Sequence, residues 1–418
     1  MSLLLRSPHP RPSRSRRRSA VPLLGGLVAG MLGGLLVAPA QAAVPAQAAL
    51  TSAAAPAGPA PAPAPEITGL ALGADRLPNC AAVVSSMTPR ARLAQRLMVG
   101  VQGDDPTGTA ETVRDTQVGG IFVGGNATTL LTNQALRGVQ AMSRIPLTVA
   151  VDDEGGRVQR IDALDGNLPS ARTMARTMTP TEVTDTARQR ATKLLAHGIT
   201  MNMAPDVDVS DQPADDVIGD RSFSNDPDTV TTYAIAYAEG QRAAGLLTVL
   251  KHFPGHGHAT GDSHKGRATT PPLAQLKADD LKPYATLLGP GGPLADGGGK
   301  GRTAVMVGHL DVPGLTTDLP SSLTPAVYRM LRTDYGFDGV ALTDDLGAMK
   351  AITDEFDLPT AVEKALSAGA DMALWSSGGR VIPVLDGLEQ ALNSGKLDAA
   401  ANDTAVQRIL ALKGVCSR

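Results

Sequence analysis

Eight short apolar runs, spread along most of the chain, constrain its fold more than any other feature. They are RLMVGVQ (96–102), VGGIFVGG (118–125), PLTVAVDDEGG (146–156), GITMNMAPDVDV (198–209), LLTVLKHFPGHG (246–257), TAVMVGHLDV (303–312), GVALTDDLGA (339–348) and ADMALWSSGG (370–379). Segments with helical spacing lie between them, among them DTARQRATKLLAHG (185–198), TPAVYRMLRTDYG (324–336) and LPTAVEKALSAGA (358–370). Each of these opens on turn or capping residues and ends at or near glycine. Eight strand-like runs separated by helices predict an α/β fold, a (β/α)8 TIM-type barrel forming a single catalytic domain. A doubly wound open sheet is the alternative, because pattern alone does not prove closure. Aromatic residues are only 3% of a chain that is 42% hydrophobic, so the core must be built from Val, Leu, Ile, Ala and Met.

At the end of each run the apolar residues give way to polar and glycine-rich ones: VDDEGGR, APDVDVS, KHFPGHG, GHLDVPG, TDDLG and WSSGG. In barrels that edge carries the active site. A purely structural rim has no need of Asp, His, Lys and Arg at so many strand tips, so the pattern points to an enzyme.

The N-terminus reads differently. Six arginines (Arg6, Arg11, Arg14, Arg16, Arg17 and Arg18) precede the uncharged stretch AVPLLGGLVAGMLGGLLVAPAQA, which ends at Ala40-Gln41-Ala42. This is the layout of an export signal over residues 1–42, with a retained membrane anchor as the alternative. Residues 43–66 are a Pro/Ala-rich linker, and the barrel is expected over 67–418. Without the signal, 32 of the 38 basic residues face 41 acidic ones, a net charge near −9. Such a balance argues against nucleic acid as a partner. A cleaved signal implies a secreted or wall-associated protein with no stable membrane insertion, and a monomer is expected. Cys80 and Cys416, near the two ends of the globular part, suit a disulfide in an oxidising compartment or two buried thiols.

Four stretches carry candidate chemistry. In VDDEGGRVQR (151–160), Asp152 sits at a strand tip with Arg157 and Arg160 close behind, a set suited to sugar hydroxyls or to a structural ion pair. In TDDLGAM (343–349), Asp344 and Asp345 point opposite ways, so one can face a pocket while the other finds backbone or Arg partners. Arg221 in IGDRSFSNDP (218–227) is either a site residue or a clamp on the acidic pair Asp215-Asp216. The stretch KHFPGHGHATGDSHKG (251–266) holds four of the seven histidines. His252 and His256 have the spacing of helical metal ligands, but Pro254 and Gly255 break any helix between them. Asp262 and His264 are alternatively a dyad in which the carboxylate orients the imidazole.

Together, KHFPGHG followed by DSH, with DEGGRVQR upstream and GFDGVALTDDLGAM downstream, resemble the glycoside hydrolase family 3 β-N-acetylhexosaminidases of the NagZ type. The resemblance runs from about residue 85 to 412 and implies a barrel of the single-domain kind. It implies Asp344 as a nucleophile that forms a covalent glycosyl-enzyme and His264 as acid/base with Asp262 as its partner. Asp152, Arg160, Arg221, Lys251 and His252 match the family's positions for terminal N-acetylglucosamine. No metal and no cofactor are implied, and the partner is a carbohydrate substrate, in muropeptides or related glycans. A β-glucosidase or β-xylosidase, a glycoside phosphorylase, a metal-dependent hydrolase and an inactive wall-binding protein are the alternatives.

Overall fold

A computed structural model describes residues 77–125, 128–295 and 302–418. The expected export signal and linker lie outside these described residues. All eight apolar runs form strands. In chain order the strands are β1 (Leu97–Val101), β2 (Gly120–Val123), β3 (Thr148–Val151), β4 (Met201–Asn202), β5 (Leu247–Phe253), β6 (Ala268–Thr269), β7 (Thr303–Val307), β8 (Leu310–Asp311), β9 (Val340–Asp345) and β10 (Met372–Trp375). Eight of them close into a parallel barrel in the order β1-β2-β3-β4-β5-β7-β9-β10, with β10 pairing back onto β1. Strands β6 and β8, from the segments after β5 and β7, make a separate two-stranded parallel ladder.

The interior is filled largely by unbranched and small side chains. Met98, Met201, Met203, Met306 and Met372 pack there with Ala150, Ala304, Leu247, Val249, Val340, Leu342 and Leu374. Methionine fills irregular gaps well, which is how a barrel can close with so few aromatic residues. The C-terminal helix Ala399–Leu412 closes the end opposite the strand tips. Ile409 joins the interior cluster, and Lys413 donates to Gly119 O, just before β2, at 2.7 Å.

Helix limits follow capping chemistry. The helix expected over 185–198 spans Pro180–Ala196, because Thr179 and Glu182 form a reciprocal capping box that starts it earlier. Leu358–Ala368 is capped by Asp357, which accepts the Thr360 N–H at 2.9 Å. The segment expected at 324–336 is helical over Pro325–Arg329 and continues as a π-helical turn over Met330–Asp334.

The two ends of the domain are knitted together. Cys80 and Cys416 form a disulfide with Cα atoms 5.0 Å apart. Beside it Cys80 N–H donates to Ser417 O at 3.0 Å and Ser417 N–H to Pro78 O at 2.9 Å. The bridge closes a loop of 336 residues, so its removal chiefly enlarges the conformational freedom of the unfolded chain. Replacing both cysteines with Ser is therefore expected to cost about 2–4 kcal/mol and to lower the thermal midpoint by several degrees. A thiol reductant should lower the midpoint of the parent protein alone; equal midpoints for parent and variant would contradict this.

Candidate active site

The strand tips open into one cavity of about 1110 Å³. Asp152, Arg160, Arg221, Lys251, His252, Asp262, His264 and Asp344 all line it, so the eight expected catalytic and sugar-binding residues meet at one place. Met203, Met306 and Leu374 supply apolar lining among them.

The tip of β3 shows how alternation sorts adjacent acids. Asp152 faces the cavity and accepts from Lys251 Nζ at 2.5 Å. Asp153, fully buried, turns the other way and is held by Arg190 Nε at 2.7 Å and Nη2 at 3.0 Å. Asp153 also accepts the Arg160 N–H at 2.7 Å, which fixes the backbone that carries Arg160. The Arg160 guanidinium donates from Nη1 to Gln159 O at 2.6 Å, while its buried Nε has no partner among the described residues.

Glu154 is the centre of a charge network that the sequence reading did not foresee. Its carboxylate accepts Arg221 Nε and Nη2, each at 2.8 Å, and also contacts Lys251 Nζ. Arg221 therefore serves the cavity while also donating from Nη1 to Val217 O of the acidic loop at 3.1 Å; Arg157 holds the same loop, pairing with Asp220 at 3.1 Å. Burial alone would raise the Glu154 carboxyl, but the Arg221 and Lys251 charges hold it well below the usual range. At Asp152 burial outweighs Lys251, and the carboxyl is pushed up. Asp206, 3.8 Å from Arg221 Nη2, is pushed well above the usual range by burial and by neighbouring Asp208.

Strand β5 delivers Lys251 and His252 to the cavity, with its register to β7 shifted between Leu250 and Phe253. His252 Nδ1 pairs with Asp208 Oδ2 at 2.7 Å, leaving Nε2 3.4 Å from Arg221 Nη2. The loop then folds against Val209: a Cβ on Gly257 would stand 1.9 Å from Val209 O, so only glycine fits there. His256 is buried inside this loop, and His258 Nδ1 pairs with both Asp280 oxygens at 3.0 Å, outside the cavity lining. The four histidines do not converge.

Beyond the turn, His264 Nδ1 pairs with Asp262 Oδ1 at 2.9 Å, which directs Nε2 away from its partner. Burial raises the Asp262 carboxyl, but bonds from Lys265 and His264 bring it down to about 2. Asp344 closes the site at the tip of β9. Burial alone would raise it; the charges of His252 and His309 and the Asp345 N–H, 2.8 Å away, hold it down to about 2. Asp344 is thus an anion throughout the range where enzymes work. Asp345 also borders the cavity, but its carboxylate is committed to Gly347 N–H at 2.8 Å, Ser376 N–H at 3.0 Å and Ser376 Oγ. His309, another residue the sequence reading passed over, donates from Nε2 to Asp345 O at 3.0 Å and takes Ser322 Oγ at Nδ1 at 2.7 Å.

Two groups among the described residues bring potential metal ligands within 4.8 Å: Asp206, Asp208 and His252, and His258, Asp279 and Asp280. In the first, Arg221 already stands beside Asp206, and His252 Nδ1 is bound to Asp208, so a dication would compete with an arginine and a ring proton.

Comparison with known proteins decides the family. The profile of the Glycosyl hydrolase family 3 N terminal domain matches residues 88–412. The chain belongs to glycoside hydrolase family 3. Among the family's members, β-hexosaminidase LpqI of Mycobacterium tuberculosis is 45% identical over 387 residues, which cover 91% of this chain and 94% of the relative. The solved structure of M. tuberculosis LpqI superposes with a TM-score of 0.75 at 47% identity, covering 81% of this chain and 97% of that one. A family 3 β-N-acetylglucosaminidase from Paenibacillus sp. str. FPU-7 gives 0.70 at 29% identity, covering 79% of this chain and 63% of that one. Family 3 membership makes the chain a glycoside hydrolase.

The network makes a prediction at Glu154. Glu154→Gln leaves Arg221 and Lys251 short of an anion in a dry setting. Breaking a buried pair costs about 3–5 kcal/mol. The variant should melt at lower temperature and bind sugar more weakly, read as a raised KM; wild-type values for both would remove Glu154 from this role.

Proposed function

We propose that the chain is a retaining, exo-acting β-N-acetylglucosaminidase that removes terminal β-linked N-acetylglucosamine. The observation that carries this reading is a carboxylate held anionic, Asp344, lining the same cavity as a His264–Asp262 dyad and a sugar-sized set of charged groups. Retaining glycosidases work by two displacements, with one group as nucleophile and another as acid and then base. Asp344 attacks the anomeric carbon while His264 Nε2 protonates the departing oxygen. His264, now neutral, takes the proton from water as the water displaces Asp344. Asp262 steadies the imidazolium in the first step and keeps the proton of the neutral ring on Nδ1 in the second. A second carboxylate in place of His264 would repel the charge of Asp344; the imidazole does not.

Asp152, Lys251, Arg221, Arg160 and His252 provide acceptors and donors for the hydroxyl and acetamido groups of one terminal sugar. The enzyme is taken to act as a monomer. The arginine-rich leader of residues 1–42, the Pro/Ala-rich tract of 43–66 and the disulfide favour an exported enzyme acting on cell-wall muropeptides or related glycans, with the barrel occupying 67–418. Among the described residues no helix is long and apolar enough to cross a membrane.

The test is release of 4-nitrophenol from the β-N-acetylglucosaminide, the β-glucoside and the β-xyloside, with and without phosphate and chelator. The first should be hydrolysed fastest, and neither additive should matter. A preference for the xyloside, a requirement for phosphate or loss of activity with chelator would overturn the reading. Asp344→Ala should abolish turnover, while Asp345→Ala should retain some; the reverse ranking would move the nucleophile.

The pH profile gives a separate check. Because the folded Asp344 is depressed to about 2, its anion is present above the usual carboxylate range and is lost only as pH falls through about 2. An acid limb of kcat/KM above pH 4 therefore belongs to another group. The acid/base role is checked by the leaving group: His264→Gly should cripple cleavage of sugars with poor leaving groups far more than of activated aryl glycosides. Equal loss on both would contradict the assignment.

A further inference from the structure

One buried carboxylate links the sugar-binding side of the site to its proton-donating side. Asp208 is fully buried, and its two oxygens reach both His252 and His256. Oδ2 holds the His252 ring at 2.7 Å, and Oδ1 accepts the backbone N–H of His256 at 2.6 Å and that of His252 at 3.3 Å. The His256 ring makes one hydrogen bond among the described residues, between Nε2 and Ser263 Oγ at 3.2 Å; its Nδ1 has no partner there. Ser263, buried, is the middle residue of Asp262-Ser263-His264. Its carbonyl accepts the Ala351 N–H at 3.1 Å, from the helix Lys350–Thr353 that follows the Asp344 strand. Burial lowers the His256 imidazole to about 4, so at neutral pH it is an uncharged strut.

We propose that Asp208, His256 and Ser263 form a positioning relay that sets the His264–Asp262 dyad relative to the sugar held by His252. None of the three lines the cavity, so they act through the residues that do. The dyad needs such an anchor. The His264 side chain is 60% exposed and has little packing of its own, and it sits in a loop with glycine at 255, 257, 261 and 266. A misplacement of about 1 Å in a reacting group can cost about a hundredfold in rate. Buried Ser263 is the point at which the loop is tied both to β5, through His256, and to the segment after Asp344, through Ala351.

The relay rests on the glycosidase reading with His264 as acid/base, and its test separates the two. Ser263→Ala, His256→Ala and His256→Gln would be assayed on the β-1,4-linked N-acetylglucosamine dimer and on 2,4-dinitrophenyl β-N-acetylglucosaminide, with thermal midpoints measured alongside. The dimer needs its leaving oxygen protonated; the dinitrophenyl substrate does not. The two alanine variants should lose about tenfold or more in kcat/KM on the dimer while staying within about threefold of wild type on the activated substrate. His256→Gln, whose amide nitrogen can reach the place of Nε2, should recover activity on the dimer. Equal losses on both substrates, or undiminished dimer cleavage by Ser263→Ala, would overturn the relay. Ser263→Ala removes a single oxygen and remains decisive if His256→Ala does not fold. A wild-type enzyme inert on both substrates would overturn the N-acetylglucosaminidase reading itself, and the relay with it.

Discussion

Two cations, the buried Lys251 and the nearly buried Arg221, stand at the mouth of the barrel, and the rest of the site is arranged around keeping them charged. A buried ammonium or guanidinium without a partner costs several kcal/mol, so each such group dictates where anions must stand. Asp152 and Glu154 from β3's tip meet Lys251, and Glu154 also meets Arg221. This explains why one strand end carries Asp152, Asp153 and Glu154 in succession. The first serves the cavity, the second is used by Arg190 and the third neutralises the two cations.

The same constraint separates the two halves of the chemistry. The half proposed to bind sugar is ion-paired and largely withdrawn from solvent. The half proposed to transfer the proton is more exposed, on a glycine-rich loop, where its imidazole meets solvent. Asp344 lies between them, its pKa held low against its burial by the neighbouring His252 and His309 and the Asp345 N–H. Asp208 touches both halves at once, through the His252 ring and the His256 backbone.

How much of this could be read from the chain depends on sequence distance. The eight strands were legible because each is a local apolar run. The fourth is the exception in length: its regular ladder covers only Met201–Asn202, and the Asn202 side chain continues the pairing by binding Asp153 N–H and O at 2.9 and 2.8 Å. The eight cavity residues were named by motif resemblance, which carries positions together with their spacing. Glu154, Asp208 and His309 stood in the same strand-tip segments, yet nothing local marks them. Their partners lie far along the chain: Glu154 and Arg221 are 67 residues apart, and Asp208 and His252 are 44 apart. A useful signal was present all the same. Lys251 and His252 end a run apolar enough to be buried, so each had to be satisfied by an acid at a neighbouring tip.

The central claim is a covalent bond between sugar and Asp344, and it can be observed directly. A 5-fluoro-N-acetylglucosaminyl fluoride should trap the glycosyl-enzyme, since the ring fluorine slows both displacements while the fluoride leaving group keeps the first one fast. Mass spectrometry of the intact protein should then show one added glycosyl unit. Fragmentation of a proteolytic digest should place that unit on Asp344 in the segment TDDLGAM. A label on Asp345 or elsewhere, or turnover of the fluoride with no covalent adduct, would contradict the account.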